Sequence, residues 1–139
     1  MKICIVTANY YPKISKDLLI GASKILKSYG FKNIKKINAP GVFEIPTIIS
    51  RNISSYDGFI ALACVIKGET PHFDFVAGEA TRGISKVARQ ADFPVIFGIL
   101  TVDTWEQAWA RASEAKGNKG REFAKSTLHM INLYRQNLK

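Results

Sequence analysis

The run GFIALACVI, residues 58–66, sets the tightest limit on what this chain can fold into. It is almost wholly apolar, so a strand made from it must be buried on both faces, as in a parallel sheet covered by helices. The neighbouring segments fit that demand. KICIVTA (2–8) is a β-branched run, and NIKKINA (33–39) alternates apolar and polar residues, as a strand nearer an edge does. FPVIFGILT (93–101) predicts a fourth strand.

Helical signals fill the gaps. Ser15 is placed to cap a helix in which Leu18, Leu19, Ala22, Ile25 and Leu26 share a face, with Gly30 as its stop. FEIPTIISRNIS (43–54) predicts a short helix with Pro46 in the first turn. In the helix opening near Thr70, the residues Phe73, Val76, Ala77, Ala80, Ile84, Val87 and Ala88 make one stripe. Thr104 and Gln107 have capping-box spacing, and a last helix from about Asn118 carries Phe123, Thr127, Met130, Ile131 and Tyr134 on one side. Regular strand–helix alternation predicts a three-layer α/β/α sandwich around a four-stranded parallel sheet, flavodoxin-like in kind. At 139 residues, with no repeat or linker, the chain is expected to form one domain over 1–139.

Composition narrows the function classes. No apolar run reaches membrane-span length, and MKICIVTAN lacks the cleavage pattern of a signal peptide. Cys4 and Cys64 sit singly in apolar strands, where thiols act as small hydrophobes, so a reducing, cytoplasmic setting is expected. A Cys4–Cys64 metal or redox pair is the lesser alternative. The net charge is +9, but Lys24, Lys27, Lys35, Lys36, Lys86 and Arg89 are scattered. With neither an RNA-binding aromatic pattern nor zinc spacing, small anionic substrates fit better than nucleic acid.

Ligands of open parallel sheets bind beyond the carboxyl ends of the strands, and there the unusual residues fall. NYYP (9–12) offers Tyr10 and Tyr11 as a flat surface, or as a lid on the core. Glu44 follows a glycine turn; it can hold the hydroxyls of a polyol or merely charge a helix N-terminus. KGETPH (67–72) pairs a tight turn with Thr70 as helix cap and Pro71 at the first helical position, next to free N–H groups and Lys67. A phosphate can bind there if Glu69 turns its carboxylate away. His72 in the first turn can take and return a proton near neutral pH, yet spacing alone equally allows a surface histidine. His129 shares a solvated stripe with Glu122, Lys125, Ser126 and Gln136. Arg111 near a helix C-terminus and Lys119 in KGNKG have ordinary structural explanations as well as anion-binding ones. There is no P-loop, dinucleotide fingerprint, nucleophile elbow or CxxC, and no metal-ligand cluster.

Four ordered blocks, GVFEIP, CVIKGETPHFDFV, PVIFGILTVDTWEQAWARA and GNKG, resemble the 6,7-dimethyl-8-ribityllumazine synthase family over most of the chain. The resemblance implies condensation of 5-amino-6-(D-ribitylamino)uracil with 3,4-dihydroxy-2-butanone 4-phosphate, the penultimate step of riboflavin biosynthesis, with no metal or organic cofactor. It implies that Tyr10 stacks on the pyrimidine, where phenylalanine or tryptophan is more usual. Val42, Phe43 and Glu44 would bind the ribityl chain, Val42 standing where alanine is common. Cys64, Val65 and Ile66 would line the heterocycle, Glu69 and Thr70 would contact the phosphate, and His72 would transfer protons. Phe97 and Arg111 would come from the neighbouring subunit, Arg111 on the phosphate, with Lys119 beside it. The resemblance implies a pentamer as the basic ring, with a 60-subunit shell built by some members; the short start of this chain is expected to weaken one contact of such a shell. Two competing readings are a flavin- or lumazine-binding relative with little catalysis, and a basic module binding nucleic acid.

Overall fold

The computed structural model describes residues 1–136; the expected domain runs on to Lys139, and 137–139 lie outside the described residues. Strands β1 (Lys2–Ala8), β2 (Asn33–Ala39), β3 (Gly58–Ile66) and β4 (Val95–Val102) form one parallel sheet in the order β2-β1-β3-β4. The helices are α1 (Pro12–Ser28), α2 (Ile45–Arg51), α3 (His72–Gln90), α4 (Trp105–Ala112) and α5 (Lys119–Arg135). This is the α/β/α sandwich expected from the alternation.

The apolar run at 58–66 explains the layering. Ile60, Leu62 and Cys64 pack into a core with α1, α4 and α5, whereas Phe59, Ala61 and Ala63 pack into a second core with α2 and α3. Each fully buried large side chain stabilises the fold by about 1.5–3 kcal/mol relative to exposure, so β3 needs both helical layers. Cys4 belongs to the α2–α3 core and Cys64 to the other, which places the two thiols on opposite faces of the sheet and rules out the Cys4–Cys64 pair.

Three local expectations need correction. Helix α1 starts at Pro12, three residues before the expected cap, because Pro12 is already suited to the first turn. Ser15 is therefore buried inside the helix, and its hydroxyl donates to the Ala8 carbonyl at 2.9 Å, satisfying the end of β1. The helix expected over 43–54 is split into a 3₁₀ turn at Val42–Glu44, α2, and a second 3₁₀ turn at Ile53–Ser55. Strand β4 begins two residues later than expected: the Pro94 carbonyl accepts from Phe59 N–H at 2.9 Å, and Phe93 packs on Phe59 instead of pairing.

Other endings follow the sequence closely. Gly30 (φ +87°) closes α1 with the paired bonds Phe31 N–H to Leu26 carbonyl and Gly30 N–H to Lys27 carbonyl. Thr104 accepts from Gln107 N–H at 3.1 Å, but the Gln107 side-chain Oε1 accepts in return from Asp103 N–H, one residue earlier than in a standard capping box.

Helix α5 crosses α1 at backbone contact. A β-carbon on Gly120 would lie 2.8 Å from the Leu18 carbonyl carbon and collide with its oxygen, and both belong to helical backbone that cannot give way. Gly120→Ala is expected to lower stability by about 2 kcal/mol, read as a reduced denaturation midpoint at constant slope. A midpoint equal to wild type would show that the two helices can separate freely.

Candidate active site

The sheet register opens the site. β1 last pairs with β3 at Thr7↔Leu62, while β3 continues to Ile66 beside β4. Residues Ala63–Ile66 thus present an unpaired backbone edge where β1 has ended. Helix α1 leaves β1 toward one face and α3 leaves β3 toward the other, so this is the point where the winding reverses and a crevice forms. A cleft of about 500 Å³ occupies it.

Its walls come from three strand ends. Beyond β1, Tyr10 stands 78% exposed with its ring edge-to-face against Tyr11, centroids 5.0 Å apart. Beyond β2, the 3₁₀ turn brings Val42, Phe43 and Glu44 to the cleft; Val42 is buried and Phe43 is 57% exposed. The Glu44 carboxylate folds back over Gly41, with Oε2 2.8 Å from where a β-carbon there would sit, so that glycine leaves room for it. Cys64, Val65 and Ile66 contribute the end of β3. Burial pushes the Cys64 thiol up to about 11, so it remains protonated at neutral pH and forms an apolar wall, not a nucleophile. Cys4, also buried and only partly offset by Lys35, is likewise raised to about 11.

The fourth wall is the turn into α3. Helix α3 begins at His72, with Pro71 in the capping position. Thr70 makes no capping bond, which corrects the expected cap by one residue: proline at 71 places the carbonyl of Pro71, not the Thr70 hydroxyl, over the N–H groups of Asp74 and Phe75. Lys67 N–H continues the sheet by donating to the Val102 carbonyl. Among the described residues, the N–H groups of Gly68, Glu69, Thr70, His72 and Phe73 have no protein acceptor, an arrangement suited to an anion. Thr70 and His72 border the cleft, and both are exposed. Glu69, just before Thr70, is exposed and does not line the cleft.

Nine of the thirteen site residues implied by the family resemblance border this one cleft: Tyr10, Val42, Phe43, Glu44, Cys64, Val65, Ile66, Thr70 and His72. Phe97, Arg111 and Lys119 do not; they come from β4 and the two helices that follow it. Phe97 is 39% exposed on the edge strand. Arg111 is exposed, and among the described residues its guanidinium donates only to the Gln107 carbonyl of its own helix, at 3.0 Å. Lys119 pairs with Glu122 at 2.7 Å, an exposed pair of small energetic weight. His129 is exposed on α5, as its stripe implied.

Tyr11 and Gly68, noted in the sequence as a possible flat surface and a tight turn, line the cleft too, and it has walls that sequence reasoning left out, among them Pro40, Phe73 and Val76. Phe73 and Val76 lie on the apolar stripe of α3, but the stripe's first turn projects past the sheet. The signal was available in their position within four residues of the helix start.

The family model for 6,7-dimethyl-8-ribityllumazine synthase matches residues 1–135. A protein of that name from Nautilia profundicola is 45% identical over 97% of this chain and 90% of its own length. Another so named, from Anaeromyxobacter sp., is 41% identical over 98% of this chain and 86% of its own. Among solved structures, a de novo designed Rossmann fold protein overlays at TM-score 0.45 and 12% identity, covering 90% of this chain and 99% of that one, a likeness too loose to argue from. With agreement running from the first strand into the last helix, the chain belongs to the 6,7-dimethyl-8-ribityllumazine synthase family.

Proposed function

We propose that the cleft condenses 5-amino-6-(D-ribitylamino)uracil with 3,4-dihydroxy-2-butanone 4-phosphate to give 6,7-dimethyl-8-ribityllumazine in riboflavin biosynthesis. The observation that carries this reading is the meeting, in one crevice, of an exposed aromatic, a carboxylate, a free strand edge and a histidine beside unpaired N–H groups. Tyr10 offers a face to the flat ring, and the backbone edge of Cys64–Ile66 offers hydrogen bonds to its polar rim. Glu44, exposed beside Phe43, accepts from ribityl hydroxyls. The phosphate rests on the turn Glu69–Thr70, where the N–H groups are free and the Glu69 carboxylate lies outside the cleft.

The chemistry asks for proton movement and little else. The 5-amino group adds to the ketone and water leaves, giving an imine. Loss of the proton on the adjacent carbon expels phosphate from the next one, and the enol so formed becomes a ketone. The ribitylamino nitrogen closes on that ketone, and a second water departs. His72, at the cleft wall beside the phosphate turn, takes and returns these protons. Holding two substrates in register supplies much of the remaining acceleration.

A second subunit completes the site in this reading. The two sheet edges are unlike: β2 carries exposed Lys35 and Lys36, which discourage pairing, whereas β4 (VIFGILTV) has no charge and exposes Phe97. The cleft side exposes Tyr10 and Phe43. Unlike surfaces that dock head to tail close into rings, as a pentamer requires, and bring Phe97, Arg111 and Lys119 to the neighbour's cleft. Arg111 then neutralises the departing phosphate. No described helix is long and apolar enough to cross a membrane, and free thiols with a phosphorylated substrate suit the cytoplasm.

Mixing the purified protein with both substrates and following the lumazine chromophore tests the reading. Acceleration over the spontaneous reaction is expected. A rate equal to the uncatalysed one contradicts it.

A further inference from the structure

Tyr11 borders the cleft but differs from its neighbour Tyr10. It is half-buried, and its ring packs against the core that contains Cys64. Edge-to-face contact lets Tyr11 brace Tyr10 without covering it, leaving the Tyr10 face free for a planar ligand. The Tyr11 phenol makes no hydrogen bond to any described residue. Burial, together with the Tyr10 phenol and the Cys64 thiol, holds that hydroxyl above the usual phenol range, so it stays a neutral donor at neutral pH.

The turn carrying it is fixed from several sides. Pro12 restricts the chain immediately after it, and the Tyr11 carbonyl accepts from Ser15 N–H at 3.0 Å. One residue further, the Lys13 ammonium lies 4.8 Å from the centroid of Trp109 and 5.8 Å from that of Trp105. The two indoles stack 5.6 Å apart, and Trp109 packs on the same core as Tyr11. This cation–π contact ties the start of α1 to α4. A donor held this way loses little freedom when a ligand arrives.

We propose that Tyr11 is a specificity-determining binding residue whose phenolic hydroxyl donates a hydrogen bond to a ring carbonyl of the pyrimidinedione stacked on Tyr10. The assignment rests on the lumazine-forming reading above. It gives the site one side-chain donor that recognises a carbonyl on the ring, alongside the backbone groups of β3. A site built around such a donor discriminates against rings lacking the acceptor, since the donor is then left unpaired.

Tyr11→Phe keeps the ring and its packing, so the variant isolates the hydroxyl. The test is an anaerobic titration of 5-amino-6-(D-ribitylamino)uracil into wild type and Tyr11→Phe without the second substrate, followed by steady-state kinetics. Binding is expected to weaken about fivefold in Tyr11→Phe, the scale of one hydrogen bond, with kcat within about twofold. An analogue lacking the contacted ring carbonyl binds both proteins equally, whereas a structural disturbance by the substitution would weaken analogue and pyrimidine alike. Equal affinity of the two proteins for the pyrimidine overturns the assignment. Wild type that binds the pyrimidine with the expected fivefold preference but forms no lumazine overturns the functional reading and leaves the contact standing; wild type that binds no pyrimidine overturns both.

Discussion

Replacing His72 with alanine lowers kcat by about 100-fold while the Kd of each substrate stays within about twofold. The first half follows from the chemistry: removal of a proton next to the imine and its return during ring closure both need a group that exchanges protons near neutral pH. His72 is the only histidine among the residues bordering the cleft, and the Cys64 thiol there, raised to about 11, is too weak an acid to substitute at pH 7. The second half follows from geometry. Tyr10, the strand edge and the free N–H groups of the turn are all independent of the imidazole. Because His72 is exposed at the first position of α3, its removal leaves the fold within about 0.5 kcal/mol of wild type. Rapid-quench measurement of the chemical step, with equilibrium titrations for binding, separates the two effects. Turnover within about threefold of wild type would remove His72 from proton transfer.

Arg111→Ala raises KM for the butanone phosphate about thirtyfold and leaves KM for the pyrimidine within about twofold. A guanidinium–phosphate contact is charge-assisted on both sides, whereas the turn at Glu69–Thr70 supplies backbone dipoles, with the exposed Lys67 two residues before it. Since the guanidinium bonds, among the described residues, only to a carbonyl of its own helix, the substitution breaks no hydrogen bond or ion pair to another element there. Arg111→Lys is expected to recover part of the loss, because an ammonium keeps the charge without the two-pronged geometry. Initial rates at fixed, saturating pyrimidine give the comparison. An unchanged KM for the phosphate substrate would take Arg111 out of the site.

How much of this was legible in the sequence depends on the residue. Strands β1, β2 and β3 fall where the apolar patterns put them, because apolar or alternating runs of seven to nine residues between helical signals leave few alternatives. Helix starts were harder. Ser15 has the side chain of a cap, yet proline at 12 starts the helix sooner and uses the hydroxyl to close β1 instead. Thr70 failed as a cap for the same reason, a proline one residue later.

The site divides likewise. Residues directly after strands were easy to nominate, since the sheet sends them all to one rim. Phe73 and Val76 were read as core because helical periodicity gives a face without saying where the sheet beneath it stops. Tyr10 and Tyr11 are adjacent and alike; only the turn geometry makes one an exposed platform and the other a braced, half-buried donor. For Phe97, Arg111 and Lys119, position within the chain carried no functional signal, because their proposed partners lie on another copy.

Co-assembly of His72→Ala with Arg111→Ala tests that shared site most directly. Each parent is impaired at low butanone phosphate, one through its chemistry and the other through its phosphate contact. Unfolding and refolding an equal mixture should restore about a quarter of wild-type activity, since at a head-to-tail interface one junction in about four joins an intact His72 to an intact Arg111. Activity no greater than the mean of the two parents would mean that each chain builds its site alone.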